Sequence, residues 1–416
     1  MKDKIIIEGG HKLFGEVRIS GSKNATVALI PAVCLAGAPV TIYDAPNISD
    51  VDALMKLLEE LNIQVKRSNE HIIIDPSTIK NVDLSSETVT KLRASYYFMG
   101  SLLGRFKYVK IKMPGGCYLG PRPIDLHLKG FEALGAKVEY HDGFYEISAK
   151  ELVGDEIYLD VPSVGATINI MMAAVFAKGR TKIENVAKEP EIIDVATMLN
   201  KMGANIRGAG TDEITIDGVE KLGGCYHEII PDRIEASTYI IMGAACAKRM
   251  KITNIIPQHL EALISKLEEA GVPIEVDGDS VTVEASDDIK PIEIKTLPYP
   301  GFATDMQSML GALLTKAKGM SQIKETIYPE RFKYCQELNK MGANIMVNSP
   351  SCLIMGPTKL QGVEVQATDL RCGAALVIAA LMAEGTTTIT DAYHIYRGYE
   401  NLFEKLHGLN AVIGEC

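Results

Sequence analysis

The sequence has no excess of basic charge. Against 43 Lys and Arg stand 53 Asp and Glu, a net charge of -10. The broad positive surface that nucleic-acid binding needs is therefore missing. Aromatic residues make up only 6% of the chain, which argues further against a base-stacking face. Cysteine occurs eight times, at 34, 117, 225, 246, 335, 352, 372 and 416, with no Cys-x-x-Cys pair and no spaced Cys/His set. That pattern speaks against a disulfide framework or a zinc site. Long apolar runs are also missing: residues 28–38 are broken by Pro31, and residues 168–177 are too few to cross a bilayer. Met1 runs directly into Lys4-Ile5-Ile6-Ile7 with no leader ahead of it, which predicts a cytoplasmic protein with no membrane partner. An acidic protein can still gather Arg and Lys locally, so any anion it binds should be small and enclosed.

What is present is a repeat. At 416 residues, 47% of them hydrophobic, the chain is long for one core, and two domains are expected. A helix-ending phrase recurs about every 70 residues, a longer period than that of solenoid repeats. It reads Leu58-Glu59-Glu60-Leu61-Asn62, Phe131-Glu132-Ala133-Leu134-Gly135 and Leu199-Asn200-Lys201-Met202-Gly203. It returns as Leu267-Glu268-Glu269-Ala270-Gly271, Leu338-Asn339-Lys340-Met341-Gly342 and Leu406-His407-Gly408-Leu409-Asn410. The last residue is always Gly or Asn, the types that best adopt the left-handed conformation ending a helix. Each unit places an Ala- and Gly-rich apolar helix first, as in residues 167–177, 237–247 and 306–317. A short strand, an amphipathic helix (192–202, 260–270) and a strand hairpin follow. This predicts an α/β fold of six βαβαββ-type units.

The sixth unit stops at Cys416 without its last strand. Ile5-Ile6-Ile7 and Glu16-Val17-Arg18-Ile19 supply what is missing, so the N-terminus is expected to close the last unit. Three units then form a first lobe, residues 22–229, and three form a discontinuous second lobe, residues 1–21 and 230–416. A cleft between two lobes favours ligand binding and can close as a hinge.

The first helix of each unit follows a strand, where its free N–H groups and dipole favour an anion. At these starts stand Lys23, Arg93, Arg233, Asp305 and Arg371, with Ser163-Val164-Gly165-Ala166-Thr167 in the third unit. They are candidates for holding an anionic substrate; as helix caps paired with neighbouring acids they would have no such role. Residues 113–123 hold three Gly, three Pro and Cys117, which makes them an exposed loop. Arg122, Lys110 and Lys112 near that cysteine favour a thiolate. The alternative is a loop cysteine with no function. A P-loop is not supported, because no Gly-Lys-Ser/Thr follows the glycines.

Over essentially its whole length the sequence resembles the UDP-N-acetylglucosamine 1-carboxyvinyltransferase family of enolpyruvyl transferases. The phrases that carry the likeness begin with Gly21-Ser22-Lys23-Asn24-Ala25, Leu92-Arg93-Ala94-Ser95, Pro114-Gly115-Gly116-Cys117 and Gly120-Pro121-Arg122-Pro123-Ile124-Asp125-Leu126-His127. They continue with Ser163-Val164-Gly165-Ala166-Thr167, Ala187-Lys188-Glu189-Pro190-Glu191-Ile192, Pro231-Asp232-Arg233-Ile234-Glu235, Thr304-Asp305-Met306-Gln307, Ala367-Thr368-Asp369-Leu370-Arg371 and Arg397-Gly398-Tyr399. The resemblance implies a two-lobed inside-out α/β barrel with three repeats per lobe. It also implies phosphoenolpyruvate and UDP-N-acetylglucosamine as substrates, a role in peptidoglycan synthesis, and no metal or organic cofactor. On this likeness Cys117 is the general acid, and Lys23, Arg122 and Arg397 hold phosphoenolpyruvate. Asn24, Arg93, Arg122, Pro123, Ile124, Asp125, Leu126, Ser163, Val164, Gly165, Asp305 and Ile327 meet the UDP-sugar. Asp305 also accepts the proton of the sugar hydroxyl, and Asp369, Arg371, Arg331 and Glu191 support the site. Three positions depart from the family pattern: Val161 in place of a lysine, Tyr396 in place of an acid, and Asn410 in place of glycine.

Protonating an alkene carbon needs a positioned acid, and the attacking hydroxyl needs a base within hydrogen-bond reach. A donor with phosphate and carboxylate charges needs cations at both ends. The rivals are a 5-enolpyruvylshikimate-3-phosphate synthase, which does not use a loop cysteine as acid, and a non-catalytic regulatory paralogue.

Overall fold

The computed structural model describes residues 4–68, 70–113 and 123–415. Its strands form six small sheets, five of four strands and one of three, and among the described residues none closes on itself. The chain divides into two compact units. One holds residues 21–113 and 123–230, the other residues 4–20 and 231–415. Each unit has three of the sheets and a hydrophobic core of its own. No helix among the described residues is long and apolar enough to cross a membrane.

Each sheet repeats one pattern. A lead-in strand precedes a buried helix and pairs in parallel with the strand after it. Examples are Glu156–Tyr158 with Arg180–Glu184, and Glu293–Lys295 with Gly319–Lys324. An amphipathic helix and an antiparallel hairpin complete the unit, as with Asn205–Arg207 and Glu213–Asp217. In the second repeat the lead-in shrinks to one parallel bridge, Leu84 with Ile111, which leaves that sheet three-stranded.

Small residues let the buried helices pack closely. A Cβ at Gly100 would come within 2.3 Å of the Asn169 carbonyl, so helix Tyr97–Phe106 lies backbone to backbone against helix Val164–Ala174. The repeated helix-ending residues all adopt positive φ: Asn62 61°, Gly135 93°, Gly203 110°, Gly271 84°, Gly342 98° and Asn410 70°. Asn410 therefore serves the same turn as the glycines that end other repeats' helices. In two repeats an asparagine one turn earlier clamps the strand that follows. Asn200 donates to the Ile206 carbonyl and accepts from its N–H, and Asn339 does the same with Ile345.

The N-terminal strands need a correction. Lys4–Glu8 does complete the sixth sheet, lying antiparallel between Thr386–Thr390 and Val412–Glu415. Leu13–Arg18, however, pairs in parallel with Ala247–Thr253 in the fourth sheet, not in the last. Conversely Cys225–Glu228, which precedes the fourth repeat's helix, pairs in parallel with Val40–Tyr43 in the first sheet. The chain passes from one unit to the other just after each of these strands. For these two strands alone, the lead-in strand and the helix that follows it in sequence belong to different repeats.

Candidate active site

In the unit of residues 21–230, Ser22 caps helix Lys23–Ala32, its hydroxyl accepting from the Ala25 N–H at 3.2 Å. Lys23, the first helical residue, sets its ammonium 2.9 Å from Asp50. Asn24 follows it, half-buried. Arg93 opens a short 3-10 turn, with its guanidinium 5.5 Å from the centroid of the Tyr96 ring. Tyr96 in turn meets His127 edge-on, at 5.1 Å between ring centroids. Gly165, in the first turn of helix Val164–Ala174, closes this group: a Cβ there would lie 2.9 Å from both His127 Cε1 and Tyr96 Oη. Ser163 caps that helix through Ala166 N at 3.3 Å, and half-buried Val164 begins it. Arg93 and residues 163–165 therefore border one cluster with His127 at its centre.

His127 is 5% exposed, and its Nδ1 has no hydrogen-bond partner among the described residues. Burial, and after it the charge of Arg93, pushes its pKa down to about 3. A neutral imidazole in that position can donate one hydrogen bond without adding charge. Pro123 and Asp125 are exposed, Ile124 is buried, and Leu126 packs partly against the core. Together they lead into and begin helix Asp125–Ala133. Glu191 is buried on helix Pro190–Lys201, and Val161 is exposed. Cys117 and Arg122 lie outside the described residues.

In the other unit the structure joins three of the expected residues. Asp305 sits in the 3-10 turn Thr304–Met306 and gives one carboxylate oxygen to each of two arginines. Oδ1 lies 2.7 Å from Arg331 Nη1, and Oδ2 lies 2.8 Å from Arg371 Nη2. The arginine side chains are only 5% and 8% exposed, against 25% for the aspartate. Burial alone would raise the Asp305 pKa; the charges of Arg371 and Arg331 outweigh it and hold the carboxyl far below the usual carboxylate range. In this arrangement it is a weak base.

Asp369 fixes Arg371 from behind by capping helix Leu370–Met382, accepting from Arg371 N at 2.8 Å and Cys372 N at 3.0 Å. Arg397 ends the short helix Tyr393–Tyr396 and is half-buried. Its charge, after burial, lowers the pKa of His394, while Asp369 and Asp391 act in the opposite sense. Tyr396 points its hydroxyl at Glu415, 3.1 Å away. Ile327 lies in a turn whose N–H groups converge on Glu325. Glu325, His127 and Asp50 were not singled out by sequence reasoning. His127 was visible inside a quoted phrase, but the other two stand among ordinary strand and helix residues.

Solved structures with this α/β fold include enolpyruvyl transferases. Among solved structures, the enolpyruvyl transferase NikO from Streptomyces tendae matches with a TM-score of 0.90 at 27% identity, covering 100% of this chain and 99% of that one. EPSP synthase from Acinetobacter baumannii matches in fold, with a TM-score of 0.77 at 18% identity over 99% of this chain and 100% of that one. The chain belongs to the EPSP synthase (3-phosphoshikimate 1-carboxyvinyltransferase) family, whose model matches residues 7–406, and it is a transferase. It is 57% identical over 412 residues to UDP-N-acetylglucosamine 1-carboxyvinyltransferase 2 of Bacillus cereus, covering 99% of this chain and 96% of that protein. The protein of the same name from Listeria monocytogenes is 56% identical over 413 residues, covering 99% and 98%.

Proposed function

We propose that the chain transfers the enolpyruvyl group of phosphoenolpyruvate to the 3-hydroxyl of UDP-N-acetylglucosamine and releases phosphate, the first committed step of peptidoglycan synthesis. The observation that carries this reading is 57% identity over nearly the full length of a protein named for that reaction. The arrangement is read as the family's two-lobed inside-out barrel, with lobes at residues 22–229 and at 1–21 with 230–416. The setting is cytoplasmic and tied to cell-wall growth and division.

In the first step the sugar oxygen bonds to the substituted carbon of phosphoenolpyruvate while Cys117 gives its proton to the methylene carbon, making it a methyl group. In the second step that methyl group loses a proton and the C–O bond to phosphate breaks, which restores the double bond as an enol ether. Lys23, Arg122 and Arg397 hold the donor's phosphate and carboxylate. Asn24, Arg93, residues 122–126, residues 163–165 and Ile327 hold the UDP-sugar. Asp305 takes the hydroxyl proton. Bound between two guanidiniums it is a weak base, so giving one arginine to a substrate group raises its basicity when the hydroxyl arrives.

A phosphate-release assay with phosphoenolpyruvate tests the reading, with each acceptor offered separately. UDP-N-acetylglucosamine should turn over and shikimate-3-phosphate should not. The opposite preference supports the sister reaction after which the family model is named, and no release with either acceptor supports a non-catalytic paralogue. Epoxide phosphonates of the fosfomycin type should alkylate Cys117, as seen by peptide mass mapping.

A further inference from the structure

Glu325 is completely buried, and its four hydrogen-bond partners among the described residues are neutral. Its Oε1 accepts from Thr296 Oγ1 at 2.8 Å, Ile327 N at 2.7 Å and Tyr328 N at 3.0 Å. Its Oε2 accepts from Thr304 Oγ1 at 2.8 Å. A buried carboxylate whose hydrogen-bond partners among the described residues are all neutral is costly unless several donors satisfy it, and here four do.

The two oxygens serve different ends of the site. Thr296 ties the turn from both sides: it donates to Glu325 and also accepts from Thr326 N at 2.9 Å, while Thr326 Oγ1 donates to the Thr296 carbonyl at 2.6 Å. The other oxygen takes the only proton of the Thr304 hydroxyl. The lone pairs of Thr304 then face Arg331 Nη1, which donates to it at 2.9 Å while gripping Asp305 at 2.7 Å. A hydroxyl free to rotate could point its proton at the guanidinium instead. Glu325 forbids that orientation.

We propose that Glu325 is a positioning residue with two separable arms: Thr304 sets the Arg331 guanidinium against Asp305, and Thr296 sets the Ile327 turn that meets the UDP-sugar. The inference rests on the proposed reading of Asp305 and Ile327. It is tested by splitting kcat from KM in variants checked for an unchanged melting temperature. Thr304→Val keeps the shape but cuts the first arm, and should lower kcat by about 10-fold with KM for the UDP-sugar within about 2-fold. Thr296→Val cuts the second arm, and should raise that KM by about 10-fold with kcat nearly kept. Glu325→Gln should show mainly the kcat loss, because its amide nitrogen donates where Oε2 accepted while its carbonyl oxygen still takes the three donors of Oε1. Thr304→Ser returns the hydroxyl and should recover most of the turnover lost in Thr304→Val.

Equal effects of the two valine variants on both parameters, or wild-type constants in both, overturn the two-arm assignment. Failure of serine to recover turnover also counts against it. Asp305→Asn separates the levels. If that variant retains turnover, the reading of the site fails; if it is inactive while both valine variants behave as wild type, this inference alone fails.

Discussion

The two units use one folding pattern for different electrostatic work. In the unit of residues 21–230, one helix start carries Lys23, paired with Asp50, while Arg93 and the capped turn at Ser163 border a neutral, buried imidazole, that of His127. In the unit of residues 231–415, the corresponding starts carry a carboxylate locked between two buried arginines. The first arrangement suits holding an anion, because Arg93 stands beside neutral rings and Lys23 faces one carboxylate, that of Asp50. The second suits controlling a proton, because moving either guanidinium changes the basicity of Asp305. Six copies of a supersecondary unit thus supply six similar helix ends, and the residue at each end decides its chemistry.

The sharpest way to break this comparison is to remove the proton-handling groups. Asp305→Asn and Cys117→Ala should each lower turnover on the order of 10²–10⁴-fold. Cys117→Asp should retain activity, since a carboxyl can also donate. Wild-type rates in Cys117→Ala would refute its role as the acid. A smaller and different effect is expected at the anion-holding unit. Arg93→Leu should raise KM for UDP-N-acetylglucosamine by roughly 10–100-fold with kcat little changed. A kcat defect of that size with unchanged KM would place Arg93 in the chemistry and erase the distinction.

Acid should separate the units as well. His127 has a folded-state pKa of about 3 against an ordinary 6.5. Above pH 6.5 it is neutral in both folded and unfolded chains. Below that, the unfolded chain takes up a proton that the folded one refuses, so stability falls by up to about 1.4 kcal/mol per pH unit until the folded pKa is reached. Asp305 has its pKa depressed, so its contribution is full above the ordinary carboxylate range and is lost only as pH falls below it. Urea midpoints between pH 7 and 5 should therefore fall less steeply in His127→Gln than in wild type. Asp305→Asn should keep the wild-type slope over the same range. Parallel slopes for His127→Gln and wild type would mean that His127 takes up its proton in the folded state.

What could be read in advance was local. Positive φ is easily reached only by Gly and a few polar residues, so helix ends such as Asn62, Gly203 and Asn410 were marked in the sequence itself. The exchange of Leu13–Arg18 and Cys225–Glu228 between sheets was not marked, because all lead-in strands share one short alternating pattern and pairing is decided by tertiary packing. Family likeness put Asp305, Arg331 and Arg371 in one site, but not the division of the carboxylate's two oxygens between two guanidiniums, which depends on residues 26 and 66 positions apart in sequence meeting in space. Glu325 was hidden for a related reason. Between Lys324 and Thr326 it looks like the solvated end of a strand, and only the completed fold turns it inward.

The smallest expected effect tests the repeat itself. Gly203 ends an amphipathic helix at φ 110°, and nothing lies within 4 Å of a Cβ built there. Gly203→Ala should therefore cost only the backbone strain of an L-residue in that conformation, about 1–2 kcal/mol. Asn410 fills the equivalent turn of the sixth repeat at φ 70° with a side chain in place, so Asn410→Gly should be neutral or slightly stabilising. Gly100→Ala is the contrast within the first of these two units, because its Cβ would strike the Asn169 carbonyl at 2.3 Å and force two buried helices apart. It should cost more than Gly203→Ala by at least about 1 kcal/mol. If the two alanine variants melt together, backbone conformation and helix spacing are not independent constraints in this repeat, and the close approach of its inner helices has slack that the glycine does not need to provide.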